Sequence, residues 1–180
     1  MREYKSITKN IIATTVITTP LGKMFVASTN KGICMLTFYN EKNIQKQIEK
    51  LKKFFDADVM SAHNKHFDQL KKELDEYFEG KREVFEIPLQ LLGTPFQQKV
   101  WNILQAIPYG NTISYQEQAV LINNEKAVRA VANANAANLI AIIIPCHRVI
   151  GKNGKLTGYA GGIDKKEFLL NLEKNCMCQH

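Results

Sequence analysis

Apolar residues gather in short β-branched runs over the first forty positions and at helical spacing after that. "NIIATTVITT", "KMFVAST" and "GICMLTFY" are rich in β-branched and aromatic residues and are parted by the turn sequences "PLG" and "NKG", which predicts an antiparallel meander. In "EKNIQKQIEKLKKFF", Ile44, Ile48 and Leu51 recur at helical spacing. In "HFDQLKKELDEYFEG", Phe67, Leu70, Leu74, Tyr77 and Phe78 make one stripe, and Gly80 stands where a helix C-cap belongs. "EVFEIPLQL" reads as a last strand. Residues 1–91 are thus expected to form one mixed α and β domain with a structural rather than a chemical role, because no catalytic constellation falls within it.

Residues 92–180 have a different character. "TPFQQKVWNILQAI" opens with Thr94 as N-cap, Pro95 at the first helical position and Gln97 three after the cap, the spacing of a capping box. Phe96, Val100, Ile103, Leu104 and Ile107 form its expected buried face, and Pro108 and Gly110 end it. Ser114 and Glu117 repeat the box spacing, and a further helix is expected from about Asn124. Two short helices joined by a tight turn predict a helix-turn-helix. On the second, Arg129, Ala132, Asn133 and Ala136 share one face at i, i+3, i+4 and i+7, with Val128 and Val131 mostly on the other. Such a face, one cation among small side chains, lets the backbone approach another surface closely. That surface is either a nucleic-acid groove or a neighbouring helix. "LIAIIIP" reads as a strand buried on both sides. "GKNGKLTGYAGG" lacks the Gly-Lys-Ser/Thr end of a phosphate loop, which excludes a nucleoside triphosphate site and leaves a turn and a loop. A final helix is expected with Asp164 as cap and Glu167 completing the box.

The chain has 180 residues, a net charge of +7 and 45% apolar residues, which suits one large or two small folded domains and excludes a disordered polymer. No apolar run approaches the roughly 20 residues that span a bilayer. The start, "MREYKSITKN", lacks the apolar segment of a secretory signal. A soluble, cytoplasmic protein is expected, or a nuclear one in a eukaryote. Lys and Arg outnumber Asp and Glu by 15 to 12 in residues 1–92 and by 9 to 5 in the remainder, so the second half is the more basic and suits a polyanion.

Four cysteines do not make a disulfide framework in such a compartment. Cys34 lies in an apolar run and reads as a small buried hydrophobe, while Cys176 and Cys178 fall in the last five residues, where a frayed tail is expected. Cys146 is different, because "IIIPCHRVIG" sets it beside a histidine and an arginine. A reactive cysteine needs its thiolate stabilised by cations, a dipole or a histidine. Adjacent strand residues point to opposite sides, so His147 cannot simply face the sulfur. Either the chain turns at Pro145 or a water relays the proton, and Glu173 is the candidate acid to fix the imidazole. On pattern alone a structural Cys146 is equally well supported.

"IPCHRVIG", "YAGG", and "GNTISYQEQA" ahead of "RAVANANAANLIAIIIP" resemble the O6-alkylguanine-DNA alkyltransferases, the methylated-DNA–protein-cysteine S-methyltransferases. The likeness is strong over residues 93–173 and weaker in "TPLGKMFVASTNKGI". It implies an α+β protein: a ribonuclease-H-like N-terminal domain with a small antiparallel sheet, and a C-terminal winged helix-turn-helix-like domain. It implies that Cys146 takes the alkyl group from O6 of a flipped guanine in double-stranded DNA, once per molecule, with O4-alkylthymine a further possible substrate. His147 would act as base through a bridging water, with Glu173 orienting it and Asn138 holding the active-site turn. Tyr115 would donate to guanine N3 and crowd the nucleotide's phosphate. Tyr159 would flank the base, the backbone of Ala160 would face O6, and the carbonyls of Val149 and Cys146 would face the exocyclic amine. Arg129 would fill the gap in the duplex, with Ala132, Asn133 and Ala136 on the helix in the minor groove. The resemblance implies a monomer with no cofactor. Some relatives carry a structural zinc; His63, His66 and Cys34 are the only candidate ligands in the first half, and no metal is expected here. Leu139 follows Asn138 where many relatives have proline, and Ala132 and Asn133 stand where glycine is common.

Two other readings compete. A DNA-binding regulator or damage sensor would recognise lesions without chemistry. A cysteine hydrolase would use Cys146 and His147, but it lacks an oxyanion-hole signal.

Overall fold

The computed structural model describes residues 10–177. The predicted meander is present as β1 (Asn10–Thr19), β2 (Gly22–Ser28) and β3 (Ile33–Phe38), paired antiparallel in that order. α1 (Glu41–Phe55) begins at an Asn40 cap and buries Ile44 and Leu51. α2 (Lys65–Phe78) buries Phe67, Leu70, Leu74 and Tyr77. Gly80 follows it at φ 70°, and the bonds from Gly80 N to Tyr77 O and from Lys81 N to Glu76 O close the helix end.

Two strand expectations fail and one strand was not anticipated. β4 (Ala57–Ser61) pairs parallel to β1, so the sheet order is β3-β2-β1-β4 and the sheet is not a pure meander. "EVFEIPLQL" forms no strand: it makes one bridge, Ile33 to Leu89, because Pro88 has no N–H to extend a ladder. "LIAIIIP" likewise makes one bridge, Leu36 to Ile140. Its isoleucines are buried as expected, but Ile142 adopts φ 72°, a left-handed backbone that costs a β-branched residue about 1–3 kcal/mol and breaks any strand.

Both failed strands dock on the open edge of β3. Ile33 N bonds Pro88 O at 2.8 Å and Gln90 N bonds Ile33 O at 2.8 Å, while Leu36 N bonds Leu139 O and Ala141 N bonds Leu36 O, each at 2.8 Å. The edge strand of the first half therefore holds the segment that precedes Cys146. One apolar core joins the halves, running from Met24, Leu36 and Tyr77 through Trp101 and Leu104 to Val149 and Leu169.

The second half contains α3 (Pro95–Ala106), a two-residue β5 (Ile113–Ser114), α4 (Tyr115–Leu121), α5 (Val128–Ala136), β6 (Val149–Ile150) parallel to β5, and α6 (Ile163–Met177). Both predicted capping boxes are formed, Thr94 with Gln97 and Ser114 with Glu117. At Asn124 a single 3-10 turn, Glu125–Ala127, precedes α5. α6 starts at Ile163, one residue before the expected Asp164 cap, so Asp164 lies in its first turn. Cys176 is not in a frayed tail; it sits on α6, half-buried against the core, whereas Cys178 lies outside the described residues. No described helix is long and apolar enough to cross a membrane.

Candidate active site

The chain turns at Pro145, as one of the two alternatives read from the sequence had it, but the turn does not bring the imidazole to the sulfur, so the relay of the other alternative is still required. Cys146–Arg148 form a 3-10 turn, which puts Cys146 and His147 on different sides without a strand. Asn138 fixes the approach to this turn. Its Oδ1 accepts from Ile140 N at 2.9 Å, and its Nδ2 donates to Ile144 O at 2.8 Å and to the Cys146 sulfur at 3.3 Å. One amide thus braces a loop that contains the strained Ile142 and ends on the thiol.

Behind the turn lies a buried polar cluster centred on Glu173, which α6 presents inward. Glu173 Oε1 accepts from Tyr77 Oη at 2.7 Å and from Arg148 Nη2 at 3.0 Å, and lies 2.7 Å from His147 Nε2. Its Oε2 accepts from Arg148 Nε at 2.9 Å and from Gly110 N at 3.0 Å. Burial pushes the Glu173 carboxyl up, but the bonds and charges of His147 and Arg148 together outweigh it and hold the group at about 2. An ionised Glu173 only accepts hydrogen bonds, so His147 carries its proton on Nε2 and keeps the Nδ1 lone pair free. Nδ1 has no hydrogen-bond partner among the described residues. Burial lowers the His147 pKa, with Glu173 opposing the shift, so the resting ring is neutral. Cys146 and His147 share no hydrogen bond, and proton transfer between them needs a relay.

In front of Cys146 is a pocket of about 510 Å³, within the range of small-ligand sites. Its walls include Tyr115, Arg129, Asn133, Ala136, Tyr159 and Ala160. The predicted face of α5 is turned to it: Arg129, Asn133 and Ala136 are exposed and Ala132 half-exposed, while Val131, Ala134 and Asn135 are buried. Two contacts fix this orientation. Asn135 and Gln118 exchange amide hydrogen bonds at 2.7 and 3.2 Å, and Trp101 Nε1 donates to Ala134 O at 2.8 Å. The Tyr115 hydroxyl donates to Thr157 O at 3.2 Å, which closes one rim. The Tyr159 hydroxyl is enclosed with no hydrogen-bond partner among the described residues.

Residues 12–91 match the ribonuclease-like domain of 6-O-methylguanine DNA methyltransferase, and residues 95–175 match its DNA-binding domain. The chain is 48% identical over 160 residues to a methylated-DNA–protein-cysteine methyltransferase of Methanosarcina barkeri, covering 89% of this chain and 96% of that one. It is 45% identical over 150 residues to the inducible enzyme of that name in Bacillus subtilis, covering 83% of each. The chain belongs to the 6-O-methylguanine DNA methyltransferase family. Among solved structures, it is similar to Mycobacterium tuberculosis OGT in complex with DNA, with a TM-score of 0.75, 38% identity and coverage of 92% of this chain and 94% of that one.

For a methyltransferase of this family, the predicted residues divide into three groups. Cys146, Tyr115, Tyr159, Ala160, Arg129, Ala132, Asn133 and Ala136 line the pocket. Asn138, His147 and Glu173 stand behind it. Val149 does neither: it is fully buried away from the pocket wall, and its carbonyl accepts from Lys166 Nζ at 2.6 Å. The Cys146 carbonyl accepts from Val149 N. The two carbonyls expected to face a base are thus both engaged within the protein.

The cation beside the sulfur is not its sequence neighbour Arg148. Arg148 turns away to Glu173, to Ile107 O at 2.7 Å and over the Tyr109 ring at 5.7 Å. Lys166 supplies the charge instead. It is fully buried, and besides Val149 O it donates to Thr157 O at 2.8 Å. Burial brings its pKa down to about 8, opposed by the negative charge that Cys146 carries when ionised. Burial likewise pushes the Cys146 thiol up, countered in part by the Asn138 bond and the Lys166 charge. The resting sulfur is therefore a thiol, although the Pro-Cys-His-Arg sequence sets a histidine and an arginine beside it. Lys166 was legible in one respect: it precedes Glu173 by seven residues, two helical turns, and so shares its face. Tyr77 carried no such signal.

Among the described residues, no three His, Cys, Asp or Glu side chains group in a metal-holding arrangement. His66 is buried with Nε2 3.4 Å from Asn30 O, His63 stands 3.8 Å from Asp68 at the surface, and burial pushes Cys34 to about 12.

Proposed function

We propose that the protein repairs DNA by moving the alkyl group of O6-alkylguanine onto Cys146, irreversibly and once per molecule. The observation that carries this reading is the pairing of a pocket-facing cysteine with a buried His147–Glu173 pair behind it. Residues 92–180 perform the chemistry and residues 1–91 brace them, with Tyr77 reaching across.

The substrate is double-stranded DNA, bound by a monomer through the exposed face of α5 in the minor groove. A guanine O6 inside the duplex is out of reach, so the nucleotide leaves the stack, at a cost of a few kcal/mol that is smallest for a damaged base. Arg129 fills the gap. Tyr159 flanks the base, and the Tyr159–Ala160 loop forms a wall around it. The Cys146 proton passes through one bridging water to His147 Nδ1, and Glu173 stabilises the imidazolium. The sulfur attacks the alkyl carbon, the carbon–O6 bond breaks, and its electron pair stays on guanine. Tyr115 gives its proton to N3 so that guanine leaves neutral, and the proton held on His147 returns through solvent to the Tyr115 phenolate. The Lys166 charge and the Asn138 amide stabilise the thiolate at the moment of attack. The thioether has no leaving route, and the protein is consumed.

The test is a titration of protein with excess duplex containing O6-methylguanine, counting repaired bases. The reading predicts one repaired guanine per protein. Binding with no repair would instead favour a non-catalytic lesion sensor, and multiple turnovers would exclude a consumed thiol.

A further inference from the structure

Beside the base pocket lies a second cleft, of about 570 Å³, between the two halves of the chain. Ala136 and Ala160 line both, so the two spaces share a wall at the C-terminal end of α5. The chemistry of the cleft differs from that of the pocket. Lys23 from β2, Lys46 from α1 and Lys165 from α6 line it, with Asn40 and Asn43 beside them, and no acid does. The ammonium groups of Lys23 and Lys46 pair with no described acid. Lys165 lies 3.6 Å from the exposed Asp164 and 5.6 Å over the Phe38 ring. Lys23 and Lys46 border one polar cleft with no acid in its lining, and the exposed Asp164 offsets Lys165 alone, so the cleft carries a net positive charge that an anion would neutralise.

We propose that this cleft binds backbone phosphates of the same DNA whose lesion enters the pocket, so that the first half of the chain is part of the DNA interface. The proposal rests on the repair reading above. The exposed face of α5 runs from Arg129 to Ala136, seven residues or about 10 Å along the helix, which corresponds to about three base-pair steps at roughly 3.4 Å each. A strand that follows this face from the flipped nucleotide reaches Ala136, where the cleft opens. There Lys23 and Lys46 offer point charges suited to phosphate oxygens. Neither is part of the alkyl-transfer machinery.

The test measures binding of unmodified duplex by fluorescence anisotropy over a range of salt, for wild type, Lys23→Gln/Lys46→Gln, and the control Lys71→Gln/Lys72→Gln on α2. The proposal expects the first variant to bind several-fold more weakly, with a salt slope shallower by about one to two, and the control to match wild type. At saturating duplex its single-turnover methylation of Cys146 should keep the wild-type rate. Equal affinity and slope in wild type and the first variant, or an equal loss in the control, would overturn it. Calorimetric titration with inorganic phosphate at matched ionic strength covers the small-anion alternative: phosphate binding abolished in the first variant with duplex affinity unchanged also overturns it. Failure of wild type to take up methyl at all would instead defeat the repair reading.

Discussion

Behind Cys146, the Glu173 carboxylate is saturated by Tyr77, His147, Arg148 and Gly110, all drawn into a buried cluster. In front of it, Arg129, Ala132, Asn133 and Ala136 stand open around the pocket with no side-chain hydrogen bond to one another. The first region fixes which atom carries each proton and tolerates no loss of a partner. The second presents shape and one charge, as a surface does that must accept a large, variable polyanion. Chemistry and recognition meet only at the sulfur.

The sharpest way to separate the two regions is Cys146→Ser. It should abolish methyl transfer completely and leave salt-dependent duplex binding within about two-fold, read by mass spectrometry and anisotropy. A large loss of binding would show that the two sides are not independent.

Glu173→Gln tests the rear cluster. It leaves Arg148 buried without its anion, and a cost of about 3–5 kcal/mol in unfolding free energy is expected, with a large fall in single-turnover rate. The pH dependence follows from the same group. Its folded pKa lies below the unfolded carboxylate value of about 4.3, so its contribution is complete above that value and is lost as pH falls through about 2. Denaturant unfolding between pH 5 and 2 should show this loss in wild type and lack it in the variant.

How much of this was visible beforehand follows the same division. The front face was legible because it obeys a local rule: capping boxes set the phase of α3 and α4, and a 3.6-residue period places Arg129, Ala132, Asn133 and Ala136 together. The rear cluster was half legible. His147 and Glu173 were anticipated, but Tyr77 is 96 residues from Glu173 in sequence and no local pattern announces it. "LIAIIIP" was misread because four isoleucines favour a strand by propensity, whereas Asn138 and the left-handed Ile142 impose a braced turn through tertiary contacts. Nothing in "DKKEF" sets Lys166 apart from the charged residues around it, because its partners, the carbonyls of Val149 and Thr157, come from other segments.

Smaller effects sharpen the contrast. Arg129→Ala should weaken binding of lesion-bearing duplex by about ten-fold, or ~1.4 kcal/mol, while thermal unfolding stays unchanged. Tyr77→Phe does the reverse. It removes one of five bonds to a buried anion, so a stability loss of about 1.5–3 kcal/mol is expected with duplex affinity unaltered.

The atom that receives the methyl group decides whether Cys146 is the acceptor. Peptide mass mapping after incubation with O6-methylguanine duplex should find one added methyl, confined to the peptide that carries Cys146. Methyl on the peptides of Cys34 or Cys176, or on none, would contradict that role of Cys146.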